Sequence, residues 1–214
     1  MKIIKETFII ILLFGAFTSA AQKVFPEVTL VYTISVRDTG YERTDMIGAT
    51  ATFYIKENLS RAEMVTVFGS ETTLHDSKTG GGTILKDYSG QRVMIPMTHA
   101  DCLQKNSKYE GITFDYTEET IQILGYNCKK AIARLKDGSS FVVYYIPELD
   151  LSDKEYEFEF KTLRGLPARY EWQDGKKKYV YNLSKINFDP IASSRFDIPR
   201  SGYRLMNYAE AIKK

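Results

Sequence analysis

Few side chains in this chain of 214 residues have the chemistry for catalysis or metal binding. There are two histidines, His75 and His99, and two cysteines, Cys102 and Cys128. His99, Asp101 and Cys102 lie close together and raise a metal site or a Cys–His nucleophile. Zinc usually takes three or four ligands at recurrent spacings, and no second cluster lies near enough in sequence to complete a shell. A nucleophilic cysteine must be a free thiolate, which a disulfide would remove. We therefore expect no metal, no cofactor and no catalytic residue.

Glu155, Glu157 and Glu159 alternate with Tyr156, Phe158 and Phe160. Carboxylates hydrolyse glycosides when they flank a cleft roughly 5–9 Å wide. Three on one face of one strand do not, and the alternation predicts a solvated acidic face. Gly80, Gly81 and Gly82 lack the Lys and Ser/Thr of a phosphate loop and predict a flexible turn. No Gly-x-Ser-x-Gly elbow occurs. Asn58-Leu59-Ser60 and Asn182-Leu183-Ser184 fit the glycosylation sequon, a pattern common by chance.

What must position any site is a mostly β chain behind an export signal. Lys2 and Lys5, the apolar run Phe8 to Phe17 and the small residues Thr18 to Ala21 form the layout of a cleavable signal peptide. The run is shorter than the roughly 20 residues of a membrane-spanning helix. The expected organisation is a signal peptide over 1–20 and one domain over 21–214, soluble in the periplasm or secreted. Loss of the leader takes the formal charge from +2 to +1. So balanced a surface offers nucleic acid no electrostatic attraction. In an oxidising compartment an even cysteine count predicts a Cys102–Cys128 disulfide.

Val28 to Val36 alternates apolar with polar residues, as does Ala49 to Lys56, each predicting a half-buried strand. Further strands are expected over 61–68, 72–76, 83–88, 92–97, 121–124, 128–135, 141–146, 168–173 and 178–186. Asp137-Gly138 and Asp174-Gly175 join the last four into hairpins, because these dipeptides tolerate positive φ. Such a series predicts a meandering antiparallel sheet. Thr98 to Lys108 predicts a helix capped by Thr98 with Asp101 three residues on. Leu205, Tyr208, Ala209 and Ile212 predict a second near the C-terminus. Asp150 to Leu163 is ambiguous, since its alternation favours a strand while Ser152 and Glu155 resemble a capping box. Phe141 to Ile146 is apolar on both faces. Either it is covered on both sides or one face lines an apolar cavity.

Four motifs follow in order: Gly125-Tyr126-Asn127-Cys128-Lys129-Lys130-Ala131, Tyr144-Tyr145-Ile146-Pro147-Glu148-Leu149, Leu163-Arg164-Gly165-Leu166-Pro167, and Phe196-Asp197-Ile198-Pro199-Arg200-Ser201-Gly202-Tyr203. Together they resemble the GLPGLI-type exported proteins of Bacteroidetes, which look like relatives of the periplasmic lipoprotein carriers of LolA-like fold. Here Ala168-Arg169-Tyr170 follows Pro167, where the family's namesake run continues Gly-Leu-Ile. The resemblance implies a strongly curved antiparallel sheet, an open half-barrel with a few short helices. It also implies a cavity for a lipid or an acylated protein. Phe53, Met64, Met94, Met97, Tyr144, Trp172 and Tyr181 are the expected lining, and all of them could equally be packed core. The expected function is a monomeric, non-catalytic carrier of an apolar ligand. The alternative is an envelope protein that docks another protein through its sheet. An enzyme would need convergent carboxylates with shifted pKa values in a cleft.

Overall fold

The computed structural model describes residues 22–38, 48–155, 157–175 and 177–213. The expected signal peptide, residues 1–20, lies outside them. Of Trp172 only its place in a strand is described.

Tight turns and apolar alternation build the sheet strand by strand. In chain order the strands are β1 (Lys23–Phe25), β2 (Glu27–Asp38), β3 (Ala49–Lys56), β4 (Leu59–Thr66), β5 (Gly69–Asp76), β6 (Gly81–Tyr88) and β7 (Gln91–Met97). Helix α1 (His99–Asn106) follows, then β8 (Thr113–Ile123), β9 (Tyr126–Arg134), β10 (Ser140–Ile146), β11 (Leu149–Leu151), β12 (Leu166–Asp174), β13 (Lys177–Asn187), β14 (Arg204–Leu205) and α2 (Tyr208–Ala211). Twelve strands form one curved, unclosed sheet in the order β14-β7-β6-β5-β4-β3-β2-β13-β12-β10-β9-β8. It is antiparallel except for β14, which runs parallel to β7. The small β1–β11 pair is also parallel. The sequence distance is spanned where β2 zips onto β13, from Thr29↔Asn187 to Asp38↔Lys177.

Ser89-Gly90 and Leu124-Gly125 both take positive φ at their two central positions, the type I′ geometry that matches strand twist. Strand β8 is longer than the expected 121–124, with a register break between Tyr116 and Thr120. It is an edge strand whose alternation, Phe114 and Tyr116 and then Ile121 and Ile123, changes phase at that break, which hid its first half from periodicity. Such a bulged, charged edge resists pairing with a second chain.

Register places one face inward across the whole sheet. The row Tyr116, Ala131, Val143, Tyr170, Tyr181, Ile34 and Ala49 runs strand to strand. A second row continues from Leu183 through Tyr32, Ala51 and Met64 to Glu71. The inner face is plugged by the segment between β11 and β12. Phe160 and Leu163 from that segment join Tyr32, Phe53, Val143 and Tyr170 in the main core. Burying a ring such as Phe160 contributes about 2 kcal/mol. On the β6–β7 side, α1 and α2 supply the cover, with Cys102, Met206 and Tyr208 against Ile84, Ile95 and Met97.

Helix α1 starts where the capping box predicts. Thr98 Oγ1 accepts from the Asp101 amide and Asp101 Oδ2 accepts from the Thr98 amide. It ends at Asn106 and passes into a 3-10 turn, Ser107–Tyr109, rather than continuing to Lys108. The C-terminal expectation is corrected more strongly. Of Leu205, Tyr208, Ala209 and Ile212, only Tyr208 is buried, and Leu205 belongs to β14. The four-residue α2 is too short to present a helical face.

The Asp150–Leu163 expectation also changes. Only Leu149–Leu151 is strand, and Phe158–Phe160 is a 3-10 turn. A strand needs a neighbour's hydrogen bonds, and here the segment crosses over the inner face, where none is offered.

Candidate functional site

The plug segment is held at both ends. Lys154 Nζ donates to the Leu163 carbonyl at 2.8 Å and pairs with Asp150 at 2.6 Å. Asp153 accepts from the Ser77 hydroxyl and from the Glu155 amide. At the far end Gly165 takes φ +141°, and a Cβ there would collide with the Ile146 carbonyl. The turn thus brings Leu163 and Leu166, both nearly inaccessible, against the core.

Below the plug lies an aromatic stack. Tyr170 and Tyr181 are parallel at 4.6 Å, while Phe160 and Tyr32 meet Tyr170 edge-on at 4.7 and 5.7 Å. The Tyr32 hydroxyl donates to the Pro167 carbonyl at 2.7 Å. The Tyr170 hydroxyl donates to Glu157 Oε1 at 3.0 Å.

Glu157 is buried, contrary to the solvated face expected of Glu155, Glu157 and Glu159. Burial, with the neighbouring Glu159 charge, lifts its carboxyl well above the usual range, against the Tyr170 hydrogen bond. Burial also lifts Glu159. Desolvation raises Tyr32 and Tyr170 well above the ordinary phenol, and Tyr109 is raised for the same reason. His75 is shifted the other way, held towards its neutral form by desolvation against nearby acidic groups.

Several hollows adjoin the plug. A groove of about 570 Å³ lies between α1 and the plug, lined by Leu103, Tyr109, Ile112, Phe158 and Thr162 with Lys161 at its rim. It is mainly apolar, and Leu103 is half-exposed in it. A second cavity of about 420 Å³ is walled by Tyr109, Phe141, Glu159, Phe160, Tyr170 and Gln173. A third, of about 180 Å³, is walled by Phe53, Ser60, Thr73, His75, Glu157 and Glu159.

The expected lining residues divide between the two faces. Phe53 and Met97 face inward and border the smallest cavity. Met64 and Tyr181 face inward and pack on the main core. Trp172 holds an inward register position in β12, opposite Tyr179, and its side chain lies outside the described residues. Met94 is on the outer face with Leu74, Leu85 and Tyr203. Tyr144 is also outward, its hydroxyl donating to Glu119 at 2.6 Å. So the second apolar face of Phe141–Ile146 does not line a cavity at Tyr144.

The expected disulfide is absent. Cys102 and Cys128 are free thiols, one against α1's partners and the other in the main core. Burial raises both, Cys128 to about 11, so each behaves as an apolar filler. Asp101 caps α1, and the His99 ring lies against Gly80, where a Cβ would not fit. Among the described residues, no group of three or more His, Cys, Asp or Glu is placed to hold a metal ion.

Periodicity missed Glu157, Glu159, Tyr109 and His75 as wall residues. The alternating acidic–aromatic run was visible, but it signals a strand face equally well.

No protein-family profile matches this chain, and comparison with curated proteins by sequence finds no match. Solved structures resemble its fold. PNGF-II matches over 88% of this chain at 15% identity and TM-score 0.50. The chain spans about a third of that protein, 34% of its length. The LolA superfamily protein NE2245 from Nitrosomonas europaea matches over 84% of this chain and 93% of its own, at 9% identity and TM-score 0.41. MucB in the Pseudomonas aeruginosa MucA/MucB complex matches over 81% of this chain and 56% of its own, at 9% identity and TM-score 0.40. At such identities the likeness concerns the fold, and nothing about ligand or activity passes to this chain.

Proposed function

We propose that the mature protein works outside the cytoplasm as a non-catalytic carrier, and that it takes the acyl chain of a lipid or acylated protein into the groove between α1 and the plug. The observation that carries this is the groove itself. Its volume of about 570 Å³ lies within the roughly 300–1,000 Å³ of ligand sites, and its wall is mainly apolar. Leu103 and Phe158 stand on opposite sides of it, so a chain between them would cover apolar surface that water now wets. Phe160, Leu163 and Tyr170 cover much of the inner face, and the two cavities beside them have more polar walls, so the groove is the better place for an acyl chain.

The test is titration of the mature protein with the fluorescent fatty acid cis-parinaric acid, with native mass spectrometry of material from its own host. Leu103 is half-exposed, so Leu103→Lys should fold normally. It should weaken binding about tenfold, corresponding to about 1.4 kcal/mol. Failure of the unaltered protein to take up the probe, or equal uptake by Leu103→Lys, rejects the groove as a carrier site.

The docking reading has its own observation. At the β4–β5 turn Val65, Val67 and Phe68 are exposed together, and exposed apolar clusters mark contact surfaces. Cross-linking from position 67 to an envelope protein, with a clean apo mass, would favour it.

A further inference from the structure

Two residues that wall the smallest cavity, on different elements, each hold a buried polar atom with no hydrogen-bond partner. One is Nε2 of His75, on β5, and the other is Oε2 of Glu157, at the start of the plug's 3-10 turn. Glu157 is only 9% exposed. Burying an unpaired polar atom costs roughly 1–3 kcal/mol, so two at one cavity wall mark a place built to meet something polar.

Their hydrogen-bonding states follow from their other contacts. Tyr170 donates to Glu157 Oε1, which leaves Oε2 for the cavity. Nε2 has no partner, and the Gly80 backbone favours a proton on the His75 ring. A neutral ring with its proton on Nδ1 leaves Nε2 as an acceptor. Burial favours the neutral form of the Glu157 carboxyl, in which Oε2 can carry a proton and donate. The cavity therefore offers an acceptor and a donor together, with the hydroxyls of Ser60 and Thr73 on the same wall. That pair suits a group that both donates and accepts, as an alcohol does. A cation would not match it, because Lys105 also lines this cavity and Lys108 the next.

Glu159 also borders the 420 Å³ cavity, whose wall combines the rings of Tyr109, Phe141 and Tyr170 with polar Gln173, Ser139 and Ser140. Sugars have apolar C–H faces and a rim of hydroxyls, so they need rings and hydrogen-bonding groups in alternation. The exposed Ser139 and Ser140 put the mouth at the β9–β10 hairpin, and neither residue lines the acyl groove.

We propose that the two cavities meeting at Glu159 form one binding site for a neutral carbohydrate, with His75 Nε2 and Glu157 Oε2 reading a hydroxyl at its inner end. This site shares Tyr109, Asn106 and Phe158 with the wall of the acyl groove, but Ser140 and Glu157 line only the two cavities, so variants there tell a failure of this site from a failure of the carrier reading.

The test uses the full mature protein and saturation-transfer NMR, followed by calorimetry, with glucose, galactose, N-acetylglucosamine and their β-linked disaccharides as probes. At least one probe should bind with Kd on the order of 1 mM or tighter. Ser140→Trp fills the mouth at an exposed position and should weaken disaccharide binding at least about tenfold, with cis-parinaric acid uptake unchanged. Glu157→Ala should abolish binding, whereas Glu157→Gln, which keeps a neutral donor and acceptor, should retain it to within about threefold. If Glu157→Ala fails to fold, the Ser140→Trp and Glu157→Gln results decide. No saturation transfer from any probe, a cavity holding water only, overturns the proposal. So does binding that survives Ser140→Trp.

Discussion

At the residue scale, Glu157 is the most consequential side chain on the inner face. Its carboxyl is raised well above 4.5 by burial. In the unfolded chain it would titrate near the ordinary value, so between the two values the folded state holds the extra proton. Stability from this group is complete below the unfolded value and is lost as pH rises towards the folded one. Glu157→Gln removes that loss without changing shape. Urea unfolding of both proteins at pH 5 and pH 8 should show the variant gaining on the parent as pH rises. Parallel stabilities across that range would mean that Glu157 is not desolvated. Glu159 titrates in the same sense, so part of the parent's pH dependence will remain in the variant.

At the scale of the element, the motifs that carry the family resemblance explain themselves structurally. Leu163-Arg164-Gly165-Leu166-Pro167 is the joint between plug and β12. Leu163 and Leu166 are core, Gly165 holds a φ that other residues avoid, and the Pro167 carbonyl accepts from Tyr32. Gly125 turns β8 into β9, and Cys128 fills the core beyond it. These residues answer to packing and turn geometry, and none of them touches the cavity with the unpaired atoms. Gly165→Ala should therefore destabilise by about 2 kcal/mol, from backbone strain and the clash with Ile146. The check is the thermal midpoint beside that of Gly138→Ala, where a Cβ meets nothing. Gly138 has φ +85° and Gly165 φ +141°, so the excess loss at Gly165 reports the close approach together with the more restrictive backbone there. Much of the element level was legible in advance. The β9–β10 and β12–β13 hairpins and the α1 cap follow from local chemistry that needs no distant partner. The plug was not, because an alternating run becomes a strand only if a neighbour pairs with it.

At the scale of the molecule, the sheet is mostly a meander, apart from the short β14 laid on β7 and one long seam. Neighbouring strands mostly follow one another in sequence, but β2 must find β13 more than a hundred residues later. The seam lies over the densest core, where Val28, Leu30 and Tyr32 are completely buried. Amide hydrogen exchange should be slowest in β2, β3 and β13 and fast in the edge strands β8 and β14, because protection follows buried pairing. Early exchange of β2 would show that the seam opens before the edges do. Such a seam also raises contact order, so folding should be slower than for a purely local meander of equal size.

The amino-acid sequence by itself determined that the chain is a mainly β, meandering sheet, where most of its turns fall and where α1 begins. Those features depend on period-two alternation, on φ-tolerant dipeptides and on a cap, all local properties. Only the tertiary structure decided which face is inner at Met94 and Tyr144, since a strand with two apolar faces has no internal preference. It also separated Cys102 from Cys128, because pairing depends on where two distant elements come to rest. And it turned Glu157 from a solvated acid into a buried one. A carboxyl's environment is set by what packs over it, here Tyr170 from a strand that begins nine residues further along the chain.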